Sequence, residues 1–430
     1  MKRKLLALSV FLITVIFTYA QEQNFYYENA VYNENIKTVL AYRDGFVLSN
    51  PIVGLGEDIN LIFTFDDLSA NVKDYYYTIV HCDADWNESF ISQEEYLDGF
   101  TDNPVDDYAM SFNTTFDYVN YRITLPNSNV KFKVSGNYAL VVYEGSDKTN
   151  RVLIQRFQVY EDTVRIEGTV RRATADAFKG ENHQVEFKVY HPNLSILNPR
   201  DEVKVVIMQN YRWDNAVRGL KPLYVRNQEL DYNYSREIVF KAGNEFRYFD
   251  NRTNRMNGEN VLATDFHRPY FHKTLKTDEI RSNKKFFSYK EMNGKYSIES
   301  QDQEVRDAET ECDYTFVHFT LQMDAPLLGG TVNVFGALSN WNANKSNEMT
   351  YNFNTASYEL TMLLKQGYYN FQYVYVPEGS TVADLANLEG SFWETENDYQ
   401  IFVYYRDLAG RFDRLVGYRL LNSVVNRSNL

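Results

Sequence analysis

Cysteine is scarce in this sequence, which has two in 430 residues, Cys82 and Cys312. Two cysteines cannot staple a small secreted scaffold, although a single disulfide stays open as an alternative. Because the two residues fall in different predicted domains, we expect two buried, unpaired thiols rather than one bridge.

Positive charge is also in short supply. Lys and Arg number 44 against 58 Asp and Glu, which gives a formal net charge of −14. A chain this acidic is a poor ligand for nucleic acids and for anionic membrane surfaces. We therefore expect no nucleic-acid partner, and attachment to a membrane only through contact with another protein.

Long apolar runs are missing after residue 20. Lys2, Arg3 and Lys4 precede an apolar run over residues 5–17, and the small residue Ala20 ends the segment. This layout predicts a secretory signal peptide over residues 1–20, since about 13 apolar residues are fewer than the ~20 of a spanning helix. The mature chain should be exported to the periplasm and be soluble there.

Motifs for catalysis are lacking too. The sequence has neither a Gly-rich phosphate loop nor a Gly-x-Ser-x-Gly elbow. His81 and Cys82 are adjacent, but neighbours on a strand point to opposite faces, whereas a Cys–His nucleophile must converge. We expect a buried Cys82, with His81 and Asp85 hydrogen-bonded to the following turn, and no enzymatic activity, cofactor or small-molecule substrate.

Metal ligands do not form a convincing set. The segment from Asp83 to Glu94 mimics a calcium loop, but Glu88 occupies the position where the sharp turn needs glycine. Zinc needs three or four converging ligands. The remaining histidines are not expected to form a tight cluster: His183, His191, His267, His272 and His318. We expect no metal site.

Aromatic residues are abundant, with 35 Tyr and 29 Phe. Apolar residues alternate with a period of two along many short segments, which is typical of strands. Examples are residues 59–65, 119–125, 203–207, 358–364 and 369–375. Short helices are predicted only near residues 92–97 and 382–388. The pattern predicts an all-β fold of tandem immunoglobulin-like β-sandwich domains.

Composition also suggests domain limits. After the signal peptide we predict an N-terminal β-sandwich over residues 21–160 and a central β domain with long loops over 161–300. The charged stretch 301–313 is interpreted as a linker. A C-terminal immunoglobulin-like sandwich over 314–407 and a tail over 408–430 complete the predicted order.

The most distinctive stretch is residues 74–86, a Tyr-rich strand ending in His-Cys-Asp-Ala-Asp-Trp, followed by Tyr-Leu-Asp-Gly-Phe at 96–100. It resembles the plug proteins of Bacteroidetes type IX secretion systems. Further similar stretches lie at 35–39, 227–231 and 240–249. The resemblance marks these signature residues, for which we expect structural roles: His81, Cys82, Asp85, Trp86, Tyr96, Leu97, Gly99 and Phe100.

The resemblance implies a periplasmic accessory subunit that binds the outer-membrane translocon barrel and occludes it when no substrate is present. Such a contact must be reversible, so we expect a polar surface rich in Tyr and Arg. The central loops supply the candidate contact residues Arg247, Tyr248, Arg252 and Arg255.

A second resemblance leaves an alternative open. Residues 331–341 and 367–373 are similar to immunoglobulin-like modules of the glycogen-binding type. In such modules exposed Trp residues stack on sugar rings, which makes Trp341 and Trp393 candidates in a periplasmic glycan-binding protein. The same motif can instead close a turn and cover the edge of the core.

Overall fold

The computed structural model describes residues 27–174, 180–234, 236–302 and 305–427. Strands make up 46% and helices 5% of it, which confirms the all-β prediction. The predicted signal peptide lies outside the described residues. Among the described helices, each about one turn long, none could span a bilayer.

The first part of the chain builds two main sheets around one core. One sheet has the order β1-β12-β11-β5-β7 with β3 on β12, the other β2-β4-β9-β8, and β6 pairs with β10. The elements are β1 Ala30–Val31, β2 Ile36–Arg43, β3 Ile52–Gly54, β4 Leu61–Asp67, β5 Tyr75–Cys82, α1 Gln93–Tyr96, β6 Leu97–Gly99, β7 Asn103–Pro104, β8 Asp107–Met110, β9 Val119–Leu125, β10 Val130–Phe132, β11 Gly136–Glu144 and β12 Arg151–Tyr160. The first core holds their inward residues, among them Phe63, Tyr121, Leu140 and Phe157.

The next part forms a sheet of order β13-β14-β17-β16, with β18 on β14. Its elements are β13 Arg165–Arg172, β14 Asn182–Tyr190, α2 Pro199–Glu202, β15 Val203–Gln209, β16 Tyr224–Arg226, β17 Glu229–Asp231 and β18 Val239–Lys241. Apolar residues alternate along β14, so Val185, Phe187 and Val189 all enter the second core.

The rest of the chain supplies most of a third core. Its elements are β19 Arg247–Asp250, β20 Val261–His267, β21 Tyr270–Leu275, β22 Asp278–Glu279, β23 Tyr296–Ile298, α3 Ala308–Glu311, β24 Tyr314–Gln322, β25 Gly330–Phe335, a 3-10 turn Ala337–Ser339, β26 Thr350–Asn352, β27 Ser357–Lys365, β28 Gly367–Pro377, α4 Ala386–Glu389, β29 Asp398–Tyr405 and β30 Arg414–Asn422. Two sheets enclose this core: β20-β21-β24-β27-β26 with β22 on β24, and β19-β28-β23 with β25 on β28.

The last two strands return to the second core. β15 pairs antiparallel with β29, which pairs with β30. Val205 lies opposite Val403, and Ile207 lies opposite Ile401. The second core is therefore closed by segments almost 200 residues apart in sequence.

Strand pairing crosses the predicted domain limits. β19 and β23, from the predicted central domain, pair with β28, and β29 pairs back with β15. The predicted division stays a prediction, and this pairing favours placing residues 398–422 with the second core. The two predicted helical turns are present as α1 and α4.

Candidate functional site

His81 and Cys82 end strand β5 and point to opposite faces of the sheet. The His81 ring lies 2.8 Å from Ser89 Oγ through Nδ1 and 3.1 Å from the Ser135 carbonyl oxygen through Nε2. Cys82 packs on the other face beside Trp86. Burial lowers the pKa of His81 to about 4. The two groups therefore do not form a nucleophilic pair, and His81 does hydrogen-bond the following turn.

The turn after β5 is held by Asp83 rather than by the predicted Asp85. Asp83 Oδ1 accepts the backbone N–H of Asp85 at 2.9 Å and of Asn87 at 3.0 Å. Asp85 instead faces the second part of the chain, 3.7 Å from Lys204 and 3.6 Å from Arg218. The prediction that Asp85 hydrogen-bonds the following turn is therefore wrong. The Asp83 carboxylate does so instead, because it lies closer to the backbone N–H groups of the turn.

Trp86 lies where the first and second cores meet. Its indole is fully buried and meets that of Trp213 edge-on, with ring centres 5.1 Å apart. The Arg156 guanidinium lies 4.4 Å from the Trp86 ring centre and 5.1 Å from that of Trp213. We call this contact, between Trp86, Arg156 and Trp213, the first joint.

Polar contacts surround the first joint. The buried Asp413 carboxylate accepts the N–H of Ala84 at 2.9 Å, Lys204 Nζ at 3.0 Å and Arg406 Nε at 2.7 Å. Burial alone would raise the pKa of Asp413, but these donors hold it below its usual value. The loop after β29 is thereby fixed to the turn after β5.

The remaining signature residues divide into buried and exposed. Tyr96 donates its hydroxyl to the Ile79 carbonyl at 3.1 Å, and Leu97 is buried in the first core. Gly99 has φ +130°, and a Cβ there would lie 1.8 Å from the Asn129 carbonyl oxygen, so glycine is needed. Phe100, in contrast, is 67% exposed.

A second joint ties the first core to the third. Asp66 on β4 and Lys365 at the end of β27 form an ion pair of 2.7 Å, and both side chains are 1% exposed. Tyr314 donates its hydroxyl to Asp66 at 2.6 Å, and Asn120 donates to it at 2.8 Å. The Lys365 ammonium also lies 4.2 Å from the Tyr118 ring centre. We call this group, with Asp66 and Lys365 at its centre, the second joint.

Helix α3, within the predicted linker 301–313, completes the second joint. The Glu309 carbonyl accepts Lys365 Nζ at 2.6 Å, and its carboxylate accepts Arg122 at 2.5 Å. Tyr118 donates to the Cys312 carbonyl at 2.9 Å. Cys312 and Cys82 are both buried and unpaired, as expected.

The predicted partner residues lie in different settings. The Arg247 side chain is 9% exposed and binds Glu389 at 2.9 Å and Asp278 at 2.6 Å, so it serves the third core. Tyr248 donates to Glu259 at 2.6 Å. The other two arginines lie nearer the surface: Arg252 pairs with Asp250 at 2.8 Å, and Arg255 lies 3.7 Å from Asp302. A partner-contact role for Tyr248, Arg252 and Arg255 stays a prediction.

Both candidate sugar-binding tryptophans are packed against protein groups. Trp341 meets Phe335 and Phe246 edge-on at 5.5 and 5.9 Å. Trp393 lies between the guanidinium groups of Arg172 and Arg427, at 5.5 and 4.7 Å. This packing favours the alternative interpretation of Trp341, a residue that closes a turn and covers the edge of the core.

Sequence reasoning missed a histidine cluster. The strands β20, β21 and β24 are neighbours, so they bring His267, His272 and His318 together, contrary to expectation. His272 Nδ1 lies 2.9 Å from His318 Nε2, and the His267 and His272 ring centres are 4.8 Å apart. Burial lowers the pKa of His272 and His318, and the neighbouring histidines add to this. Even so, no set of three or more metal-binding side chains in the described ranges is arranged to hold an ion.

A cleft of about 1480 Å³ lies where the first and third cores approach each other. Its charged lining includes Glu28, Glu34, Lys37 and Lys345. Because both signs of charge are present, the lining does not select a ligand of one charge.

Comparison with known proteins identifies a matching family model and a similar solved structure. The family model for the type 9 secretion system plug protein 1st domain matches residues 36–161. A crystal structure of a hypothetical protein from Parabacteroides merdae ATCC 43184 is 38% identical, with a TM-score of 0.89, and the match covers 93% of this chain and 100% of that one. No curated protein matches the chain. Over residues 36–161 the chain therefore belongs to the family of type 9 secretion system plug protein 1st domains.

Proposed function

We propose that this protein is a periplasmic accessory subunit that binds the translocon barrel of the type IX secretion system at the outer membrane. In the absence of substrate it would occlude the barrel. Family membership supports a plug-like accessory role and an association with the secretion system. The family is a structural component of that system rather than a known enzyme.

The observation that carries the proposal is the pair of buried joints. A pore wide enough for folded cargo would leak small solutes unless a body of fixed shape covers it. The first joint packs Arg156 beside two indoles that contact each other, and the second buries the Asp66–Lys365 ion pair. Interiors packed in this way resist deformation. The three cores can therefore act together as one obstruction.

The surface charge suits a reversible contact. Rim charges mainly affect association rate and salt dependence, whereas a large apolar interface would favour permanent association. With a net charge of −14, the chain should bind a partner surface that carries basic residues. The contact should therefore weaken as ionic strength rises.

Co-purification from outer membranes tests binding. A tagged chain should recover the barrel protein, identified by mass spectrometry, from detergent-solubilised membranes of cells that are not secreting. Membranes from cells without the barrel serve as the control. Repeated failure to recover the barrel at low salt would refute the proposal.

Occlusion needs a separate measurement. Deleting the gene for this protein should let a small dye or antibiotic cross the outer membrane, but only in cells that still have the barrel. Equal leakage in cells with and without the barrel would contradict an occluding role.

A further inference from the structure

The loop between β2 and β3 carries three consecutive exposed apolar residues. Phe46 is 62%, Val47 58% and Leu48 37% exposed. Single exposed apolar residues are normal on protein surfaces. A run of three on one loop is instead a liability unless it serves a contact. We call residues 46–48 the apolar tip.

Other exposed apolar residues are arranged differently. Leu223, Tyr224 and Val225 are also consecutive and exposed, but Tyr224 and Val225 lie in strand β16, where successive side chains point to opposite faces. The most exposed leucines, Leu197 and Leu328, are isolated in sequence from other exposed apolar residues. Among the described residues, the turn after β30 also exposes the pair Val424 and Val425, but the apolar tip is the run of three that a loop presents.

The apolar tip is held in place by its own backbone. The N–H of Phe46 donates to the Arg43 carbonyl, and the N–H of Ser49 donates to the Phe46 carbonyl, both at 2.8 Å. Ser49 Oγ accepts the Arg43 N–H at 2.8 Å. Asp44 N–H donates to the Asn60 carbonyl, also at 2.8 Å, which ties the loop to the start of β4. Two successive turns thus fix the tip.

Contacts from elsewhere support the tip further. Lys295, just before β23, donates its ammonium to the Leu48 carbonyl at 2.6 Å. Arg43, at the base of the loop, pairs with Glu57. A loop already ordered before binding loses less conformational entropy on docking, so its apolar side chains contribute more of their burial to affinity.

We propose that the apolar tip is an anchor that inserts into an apolar pocket with a basic rim on the translocon protein. This inference rests on the proposed function and names the contact surface. Asp44, two residues before the tip, and Asp58, two residues before the Asn60 carbonyl that holds the loop, both have exposed carboxylates, so a basic rim complements them. Apolar side chains buried in a pocket at the centre of an interface typically dominate its energy.

The charge of the loop region and of the whole chain argues against a lipid surface as the binding partner of the apolar tip. Stable attachment to a membrane takes two signals, such as an apolar insertion and a polybasic patch. The loop region instead combines the exposed carboxylates of Asp44 and Asp58 with the ammonium of Lys295, which does not amount to a polybasic patch, and the whole chain carries −14. Anionic headgroups would repel this face, whereas a pocket in a protein can supply matching charge.

The test uses the full chain and two triple variants. In the tip variant, Phe46, Val47 and Leu48 are each replaced by Ser. In the matched control, Leu197, Leu328 and Phe353 are each replaced by Ser, which removes three scattered exposed residues of similar size. Capture of the barrel should fall about tenfold or more for the tip variant, the equivalent of about 1.4 kcal/mol, and stay within about twofold for the control. Thermal unfolding should be similar for both variants and the native chain.

Each outcome has a definite consequence. If native chain and tip variant capture the barrel equally well, the anchor is refuted while the proposed function stands. If the native chain captures no barrel, both ideas fail. Flotation of the native chain, but not of the tip variant, with vesicles of phosphatidylethanolamine and phosphatidylglycerol would assign the tip to the membrane instead.

A charge-reversal variant keeps the test usable if the tip variant does not fold. Asp44→Lys with Asp58→Lys changes only exposed side chains. It should weaken capture severalfold at low salt and much less at high salt, because the loss is electrostatic. Unchanged capture at low salt would refute a basic rim on the pocket.

Discussion

The two joints bury positive charge in different ways. In the first joint, the Arg156 guanidinium lies beside the rings of both Trp86 and Trp213. In the second, Lys365 is paired with Asp66 at 2.7 Å. Both cations lie among aromatic rings. Of the residues that define the two joints, only those of the second include a buried carboxylate paired directly with the cation.

The two joints are expected to differ in what they contribute, one to adhesion between cores and the other to their relative placement. An aromatic contact gains most of its energy from buried apolar area, which depends weakly on exact alignment. A buried ion pair adds little net stability, because desolvation offsets attraction, but losing one partner leaves an uncompensated charge. We expect the first joint to supply adhesion and the second to fix how the third core sits on the first.

Removing one half of the ion pair should have the largest effect. Asp66→Ala leaves the Lys365 ammonium buried without its carboxylate and also deprives Tyr314 and Asn120 of an acceptor. We expect a loss of about 3–5 kcal/mol in the free energy of unfolding, measured by denaturant titration.

A double variant separates the effect of the unpaired charge from that of the surrounding hydroxyl and amide groups. Asp66→Leu with Lys365→Met replaces the ion pair by apolar side chains and should recover much of that loss. If it stays as unstable as Asp66→Ala, the surrounding hydroxyl and amide groups, rather than the unpaired charge, account for the effect.

Acid should weaken the turn after β5, beside the first joint. His81 packs against Phe412, near Asp413, and its folded pKa of about 4 lies below the ordinary 6.5 because of burial. The unfolded chain therefore takes up a proton first, so the stabilisation is complete above pH 6.5 and is lost as the pH falls towards 4. At about 1.4 kcal/mol per unit, the loss approaches about 3 kcal/mol.

Hydrogen exchange at pH 7 and pH 4.5 can locate this effect. Amides around β5 and the loop before β30 should lose protection at the lower pH. His81→Gln should flatten the pH dependence of stability between pH 6.5 and pH 4. An unchanged pH dependence in this variant would contradict the assignment to His81.

The sequence predicted the local features of this fold well and its long-range pairing poorly. Alternating residues such as Ile123 and Leu125 on β9 identify strands, because burial of one face imposes a period of two. The pairing of β15 with β29 cannot be recognised from the sequence of either strand, because any apolar strand could pair with β15 in the same way. The place of β29 in the second core therefore could not be derived from composition.

For the site residues too, local features could be predicted and long-range contacts could not. Divergence of His81 and Cys82 follows from strand geometry alone and was predictable. The first joint was not, since strands β6 to β15 lie between Trp86 and Trp213 in sequence. The histidine cluster was hidden for a related reason, because His318 reaches His272 only through the parallel pairing of β24 with β21.

Replacing the stacked cation tests the first joint directly. Arg156→Met keeps much of the apolar stem but removes the guanidinium from its contact with the two indoles. We expect a loss of about 2 kcal/mol, the size of a desolvated cation–π contact, in thermal or denaturant unfolding. Arg156→Lys should fall between the native chain and Met, because an ammonium keeps the charge but not the planar stacking. No loss in the Met variant would mean that adhesion comes from the rings alone.

The smallest effect should come from the partly exposed ion pairs at the edge of the first joint. Asp85 lies 3.7 Å from Lys204 and 3.6 Å from Arg218, and about half of its side chain is exposed. Such pairs typically contribute about 0–1 kcal/mol, so Asp85→Ala should barely change the unfolding free energy, and raising the salt should remove what remains. Lys204 also has the buried Asp413 as a partner at 3.0 Å, so it does not depend on Asp85. A loss as large as that of Arg156→Met would show that charge at this edge, and not stacking, holds the first and second cores together.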